Sequence, residues 1–164
     1  MDLADFNTAD DEQLAGALVA CNAAASFAPA VVAGRPYDSV DALVDWAGEV
    51  SRALPWAEVG DALAAHPRIG DRVTGDSAEA SSSRREQASM SGAADDVRAA
   101  ILAGNRDYEA KFDQVFLVRA AGRTPEELLA ELQRRLGHTP DQERPEVVEQ
   151  LAQITELRVR GLVA

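Results

Sequence analysis

The clearest candidate for chemistry in this sequence is a histidine that precedes a proline. His66 is one of only two histidines, and it lies in the run Ala65-His66-Pro67-Arg68-Ile69-Gly70-Asp71-Arg72. An imidazole titrates near neutral pH and therefore suits proton transfer. A proline disfavours the helical region for the residue before it. We therefore predict that a helix stops at His66 and that its imidazole lies at the mouth of a loop.

Glu86 is a second ionisable candidate, and it has a structural interpretation. The run Ser83-Arg84-Arg85-Glu86 matches the Ser-x-x-Glu capping box, in which the first and fourth side chains close the N-terminus of a helix. Residues 70–82 before it are small and polar, which is typical of a flexible surface loop. Taken alone, this pattern predicts a helix that starts at Ser83, with Glu86 as part of its cap.

Two arginines near the end of the chain are candidate anion ligands. Arg158 and Arg160 fall in the last predicted helix, where cations interact favourably with the helix dipole. Residues two apart cannot share one helix face. If one of them points into a pocket, the other must point elsewhere. His138 lies in the turn Gly137-His138-Thr139-Pro140, where we expect a solvated ring.

Other kinds of site find little support. The two histidines lie outside any HExxH pattern, cysteine pairs are missing, and Asp71 to Asp76 lacks the spacing of a calcium loop, so no metal site is predicted. Neither a glycine-rich phosphate loop nor a Gly-x-Ser-x-Gly elbow is present. Covalent catalysis therefore has no evident nucleophile.

The amino-acid composition and net charge limit the possible fold classes and binding partners. The 164 residues are 46% hydrophobic, mostly Ala, Leu and Val, which predicts one all-α domain, a single compact multi-helix unit over 1–164. A net charge of −12 argues against nucleic-acid binding. The single cysteine, Cys21, suits a reducing compartment and a small buried position. The acidic N-terminus and the lack of a long apolar run predict a cytoplasmic protein with no membrane partner.

Capping residues, prolines and glycines indicate where the helices of this chain begin and end. We predict a loop over 29–36, a core stripe of Leu43, Trp46, Val50 and Leu54, and either a helical or an extended segment at Val115 to Val118. The predicted helices cover about 8–24 from a Thr8 cap, 39–54 from Ser39, 55–66 from Pro55, 83–103 with a break near Gly92, 124–136 from Thr124-Pro125, and 141–162, with Val147, Leu151, Ile154 and Leu157 on one side.

Several motifs, taken in order, resemble the 2-oxo-4-hydroxy-4-carboxy-5-ureidoimidazoline (OHCU) decarboxylase family. The His-Pro-x-Ile-Gly and Ser-x-x-Glu-Gln elements, about twenty residues apart, are the most specific pair. The motifs are His66-Pro67-Arg68-Ile69-Gly70, Ser83-x-x-Glu86-Gln87, Asn105-x-x-Tyr108-x-x-x-Phe112, Phe116-Leu117-Val118, Arg135-Leu136 and the stretch from Glu149 to Arg158. The chain differs from the family at Asp113-Gln114, where relatives commonly have Gly-Phe, and at Val159, where they have Leu.

This resemblance implies an all-α, cofactor-independent, usually homodimeric enzyme of purine catabolism that converts OHCU to (S)-allantoin. It makes His66 the catalytic acid/base, Glu86 its partner and Arg158 a ligand of the substrate anion. It also implies that the pocket is lined by Pro67, Ser83, Gln87 and the backbone of Phe116, Leu117, Val118, Arg119 and Ala120.

Two alternatives stay open from the sequence. The chain could be a helical regulatory or protein-binding module in which His66 and Glu86 have structural capping roles, or a relative that acts on a different ureido or hydroxy acid. A binding module predicts an exposed apolar stripe and no polar pocket, whereas the enzyme requires the three side chains to converge on one cavity.

Overall fold

The computed structural model describes residues 1–163, and these residues form an all-helical protein. No strand occurs within them, so the all-α prediction is confirmed. A short 3-10 helix, Ala88–Gly92, lies between the sixth and seventh α-helices. The α-helices are α1 (Leu3–Thr8), α2 (Asp11–Cys21), α3 (Phe27–Ala33), α4 (Val40–Arg52), α5 (Trp56–Ala64), α6 (Ala78–Glu86), α7 (Asp95–Phe112), α8 (Pro125–Leu136) and α9 (Pro140–Leu162).

The helices divide into two compact units. The first unit comprises residues 1–62 and the described residues from 148 onwards, and the second comprises Leu63–Val147. That residues 1–164 act as one domain stays a prediction. None of the helices in the described part of the chain is long and apolar enough to cross a membrane.

In the first unit, α3 packs against both α2 and α4. The side chain of Asn22 donates to Ser51 Oγ at 3.2 Å and to Thr155 Oγ1 at 3.1 Å, which satisfies polar groups inside an apolar core. Cys21 is buried, as predicted. Large side chains of this core with no exposed surface are Phe6, Leu14, Leu18, Phe27, Val31, Leu43, Val59, Leu151 and Val159.

The predicted first helix, 8–24 with a Thr8 cap, is wrong at its start. Thr8 is instead the last residue of α1, and its hydroxyl donates to the Ala4 carbonyl at 2.9 Å. Asp10 caps α2, because its carboxylate accepts the N–H of Glu12 at 2.9 Å. A carboxylate that accepts these N–H groups also interacts favourably with the positive end of the helix dipole, so the chain breaks into two helices here.

The loop predicted over 29–36 is also wrong in its first half, where α3 forms. Pro29 is the third residue of this helix, and the first-turn N–H that proline lacks has no intrahelical partner in any helix. Burial of Phe27 and Val31 on one face stabilises the short helix against the core.

The predicted core stripe on the fourth helix is partly wrong. Ser39 caps α4 as predicted, and Leu43 is buried, but Trp46 is 41% exposed. In α9, Val147, Leu151 and Ile154 are buried, whereas Leu157 is 36% exposed. These stripes are narrower than the sequence pattern suggests.

In the second unit, α7 packs against α8. The Thr124 start of α8 is confirmed, with a reciprocal capping box between Thr124 and Glu127 and proline in the first turn. The break near Gly92 is confirmed, because the 3-10 helix ends there. The apolar core of this unit consists of Ile69, Met90, Ile101, Tyr108, Phe116, Val118, Ala120, Leu128 and Leu132.

Candidate active site

His66 lies in the turn that follows α5, as the proline context predicts. The helix ends at Ala64, and the His66 backbone N–H donates to the Leu63 carbonyl at 3.0 Å, which closes the last turn. The residue is 7% exposed, so the imidazole is largely buried. A buried imidazole next to a cavity is shielded from bulk water, which suits controlled proton transfer.

The turn that carries His66 is fixed by side chains from two other helices. Gly70 has a φ of +86°, a conformation that favours glycine. Its N–H donates to Gln87 Oε1 at 3.1 Å, and the amide of Asn105 donates to the Ile69 carbonyl at 2.9 Å. Because Asn105 is buried, this contact is shielded from competing water. The backbone after His66 therefore has a defined position.

The structure contradicts the predicted capping box of Ser83 and Glu86. Helix α6 begins at Ala78, and Ser77 is its cap, with its side chain accepting the Ala80 N–H at 3.1 Å. Ser83 and Glu86 are therefore in the last turns of the helix, where a capping box for its N-terminus is impossible. The flexible loop predicted over 70–82 is correspondingly shorter. Glu86 needs an explanation other than capping.

A polar cavity of about 380 Å³ lies beside His66. It brings three of the predicted site residues together, namely His66, Pro67 and Ser83. Ser83 is buried on α6, one helical turn before Glu86. Glu86, Gln87 and the segment 116–120 do not line this cavity. Its other walls are formed by Ala64, Ala65, Arg68, Asp71, Arg72, Val73, Thr74, Ser77, Glu79 and Ala80.

The charges around the cavity are mixed. Arg68 donates two hydrogen bonds to the Glu109 carboxylate, one of them from Nη2 to Oε2 at 2.9 Å. The donated hydrogen bonds lower the pKa of the Glu109 carboxyl and raise that of Arg68. A second cavity of about 280 Å³ shares Arg68 and Asp71 with the first. Asp71 and Glu79 add negative charge to the walls of the first cavity and Arg72 adds positive charge.

The segment 116–120 has neither helical nor strand structure, and Val115 has none either, so Val115 to Val118 is not helical and forms irregular chain. Helix α7 ends at Phe112, and Asp113 has left-handed backbone angles. Phe116, Leu117, Val118 and Ala120 are all buried. The segment is thus an ordered part of the core of the second unit.

The two C-terminal arginines differ, as the two-residue spacing predicts. Arg158 is 7% exposed, and one of its hydrogen bonds runs from Nη1 to the Ala20 carbonyl at 3.3 Å. The side chain of Arg160 is half-exposed and donates to Asp41 Oδ1 at 2.7 Å. Both residues belong to the first unit, whereas His66 and Glu86 belong to the second.

The sequence prediction for His138 is wrong. Its ring is not simply solvated, because Nδ1 lies 2.9 Å from Glu143 Oε2 and Nε2 lies 3.2 Å from Arg134 Nη1. Glu143 is itself buried, and a buried carboxylate requires hydrogen-bond donors such as the His138 ring.

Sequence reasoning assigned no role to Asn105 or Arg135. Arg135 has no exposed surface and follows the buried residues Leu128 and Leu132 at helical spacing. A charged residue on the apolar face of a helix was the available signal. Asn105 gave a similar signal, since it precedes buried Tyr108 by one helical turn.

Fold and site together define an all-helical protein with a buried histidine at a small polar cavity. Among the described residues, no group of three His, Cys, Asp or Glu side chains is arranged to hold a metal ion. The chain belongs to the OHCU decarboxylase family, whose sequence model matches residues 7–160. The class of enzyme predicted from the sequence, a decarboxylating lyase, is therefore confirmed.

The relatives agree with this assignment. The chain is 31% identical over 140 residues to a 2-oxo-4-hydroxy-4-carboxy-5-ureidoimidazoline decarboxylase from Amia calva, covering 83% of this chain and 79% of that protein. Its fold is similar to that of an OHCU decarboxylase crystallised in the presence of (S)-allantoin, with a TM-score of 0.76 and 22% identity over 94% of this chain and 98% of that one. An (S)-allantoin synthase structure matches with a TM-score of 0.72 and 19% identity, over 97% of this chain and 53% of that one.

Proposed function

We propose that this chain decarboxylates OHCU to (S)-allantoin without a cofactor, with His66 as general acid/base, Glu86 as its partner and Arg158 as a ligand of the substrate anion. The observation that carries the proposal is the buried His66 in the wall of a polar cavity of about 380 Å³, a volume in the range of small-molecule sites. Pro67, Ser83, Gln87 and the backbone of residues 116–120 complete the proposed site.

The substrate explains why such a site is sufficient. The ring carbon that bears the carboxylate also bears a hydroxyl and adjoins a ring C=N bond. When the bond to the carboxylate breaks, its electron pair forms a C=C bond to the neighbouring ring carbon, the π electrons of the C=N bond move to the ring nitrogen, and that nitrogen takes up a proton from solvent. Carbon dioxide leaves, and an enol remains. The electron sink belongs to the substrate, so the protein has to orient the carboxylate and move protons.

His66 accounts for the second half of the reaction. A neutral imidazole takes the proton of the substrate hydroxyl, and the resulting imidazolium returns a proton to the neighbouring ring carbon that carries the ureido group. This step converts the enol to a carbonyl. Delivery from one side of the ring sets the handedness of the product. A positioned acid/base of this kind contributes on the order of a hundred- to ten-thousandfold in rate.

Glu86 and Arg158 supply the charges that this scheme requires. A carboxylate partner stabilises the imidazolium form of a histidine. A guanidinium can donate two parallel hydrogen bonds to one carboxylate, and this bidentate geometry favours one orientation of the substrate. Since Ser77 caps α6, capping of this helix does not account for Glu86.

The decisive experiment compares the two histidines. Freshly generated OHCU is followed by circular dichroism at a wavelength that reports (S)-allantoin, since spontaneous decay gives racemic product. His66→Asn should reduce the enzymatic signal by roughly a hundredfold or more with unchanged helical content. His138→Asn is the matched control and should retain turnover. Near-wild-type turnover of His66→Asn would refute the assigned mechanism.

The polar cavity and the corrected position of Glu86 favour an enzyme over a regulatory module with capping histidine and glutamate. Action on a different ureido or hydroxy acid is tested by the same assay, because the absence of any (S)-allantoin signal with wild-type protein would contradict the substrate. The homodimer and the cytoplasmic location stay predictions, and light scattering of the purified protein tests the first.

A further inference from the structure

Arg135 is a guanidinium with no exposed surface, placed on the apolar face of α8. Removing a charge from water is costly, and the cost is offset only if close partners satisfy it. Arg135 has such partners. Its Nε donates to Glu143 Oε1 at 2.7 Å, and Nη1 donates to the Leu117 carbonyl at 2.7 Å. Its guanidinium carbon lies 4.8 Å from the centre of the Phe116 ring.

Two of these contacts are made with the irregular segment 116–120. A buried chain without helix or strand needs partners for its backbone groups from elsewhere in the structure. The Leu117 carbonyl finds one in Arg135, while the Phe116 ring packs on the face of the same guanidinium. One planar side chain therefore fixes both a backbone group and a ring at the start of the segment.

We propose that Arg135 is a positioning residue for substrate binding. By holding Leu117 and Phe116, it sets the conformation in which the backbone of residues 116–120 meets the substrate. The inference rests on the proposed function, which assigns the backbone of this segment to the substrate site, although the segment does not line the polar cavity beside His66. Arg135 itself does not act on the reacting atoms.

Stability alone does not account for this arrangement. Replacing a buried ion pair by apolar residues is often neutral or stabilising, so a leucine-rich face gains little from an arginine and a glutamate. The ion pair instead gives the Arg135 guanidinium one fixed orientation. Glu143 orients the guanidinium, and the planar fork then donates to Leu117 in one geometry. A lysine keeps the charge but cannot reach both partners with a rigid fork.

The test is a pair of identical substitutions at adjacent arginines. Arg135→Lys should raise KM for OHCU about tenfold, the equivalent of one well-placed hydrogen bond, while kcat changes by less than about threefold. Arg134→Lys is the control, because Arg134 is exposed and pairs with Glu131 and Glu146 on the surface. It should leave both constants unchanged. An unchanged KM in Arg135→Lys would overturn the inference.

A third variant separates the Leu117 contact from general loosening of the core. Leu128 is buried in the same apolar core and has no polar side-chain group that could bond to Arg135 or Glu143. Leu128→Ala should lower the melting temperature and leave KM unchanged. A KM in Leu128→Ala as high as in Arg135→Lys would show that only core stability matters, against the inference.

Two further measurements keep the test conclusive. If Arg135→Lys does not fold, the double variant Arg135→Met with Glu143→Met removes both charges together, and the same rise in KM is expected of it; an unchanged KM would again overturn the inference. The turnover of His66→Asn tests the proposed function independently of Arg135. Wild-type turnover there contradicts the proposed function, whereas loss there with an unchanged KM in Arg135→Lys contradicts this inference alone.

Discussion

The side-chain oxygen of Gln87 accepts the backbone N–H of Gly70 at 3.1 Å, across seventeen residues of sequence. This bond ties the end of α6 to the turn that carries His66. The two motifs most specific to the family, His-Pro-x-Ile-Gly and Ser-x-x-Glu-Gln, are thus parts of one local structure. The bond also fixes the Gln87 amide, because an oxygen that accepts from Gly70 leaves the NH₂ group as the donor of that side chain.

Substitutions at Gln87 should separate its structural role from its proposed role in substrate binding. Gln87→Leu removes the acceptor and leaves the N–H of buried Gly70 unsatisfied, which should cost about 1–3 kcal/mol of unfolding free energy. Gln87→Glu keeps an acceptor and should retain stability while it loses the amide donor and therefore affinity for OHCU. Urea unfolding and KM are the measurements. Equal stability of wild type and Gln87→Leu would contradict the role assigned to the bond.

The cap of α6 gives a second prediction. Ser77→Ala removes the side chain that accepts the Ala80 N–H and should cost about 1 kcal/mol, which urea unfolding can measure. Ser81→Ala makes the same change inside the helix, where alanine is the better helix former, and should be neutral or slightly stabilising. If both variants were equally stable, Ser77 would not be the cap.

The sequence predicted those features that depend on a few neighbouring residues. The stop at His66-Pro67 and the start at Thr124-Pro125 both follow from proline geometry and capping, and both are confirmed. The Ser83 capping box failed because serines recur at 77, 81, 82 and 83, and the pattern alone does not select among them. Glu79 in the first turn favours the earliest of these starts through the helix dipole.

The candidate site was harder to predict because its contacts span long stretches of chain. Burial of Arg135 depends on Glu143, eight residues away, and on Leu117, eighteen residues away. No periodicity encodes such contacts. The apolar composition of segment 116–120 fits a helix, a strand or an irregular chain equally well. Its irregular backbone is held by contacts from Arg135 to Leu117 and Phe116. The assignment of this segment to the site comes from the resemblance alone and stays a prediction.

Both tyrosines of the chain should titrate far above their ordinary range. Burial raises the pKa of Tyr37 to about 12, and burial together with the hydrogen bond to Glu143 raises that of Tyr108 to about 12. A phenol with a raised pKa in the folded state stabilises the protein fully below pH 10 and loses this contribution as the pH rises towards 12.

Absorbance at 295 nm measures this directly, since the chain has only these two tyrosines. The native protein should show no transition near pH 10, and in concentrated urea both phenols should titrate there. A native transition near pH 10 with half the full amplitude would show that one of the two phenols is accessible to solvent, against the structure.

Asp113 offers a stabilising substitution at the end of α7. It has a φ of 55°, in the left-handed region where a side chain is unfavourable. Asp113→Gly removes both this strain and a negative charge from the C-terminal end of the helix, so it should add about 1 kcal/mol to the unfolding free energy. Asp113→Asn removes the charge alone and should add only part of that gain. Urea unfolding of the two variants separates the contributions, and an Asp113→Gly variant less stable than wild type would show that the aspartate side chain stabilises this turn instead.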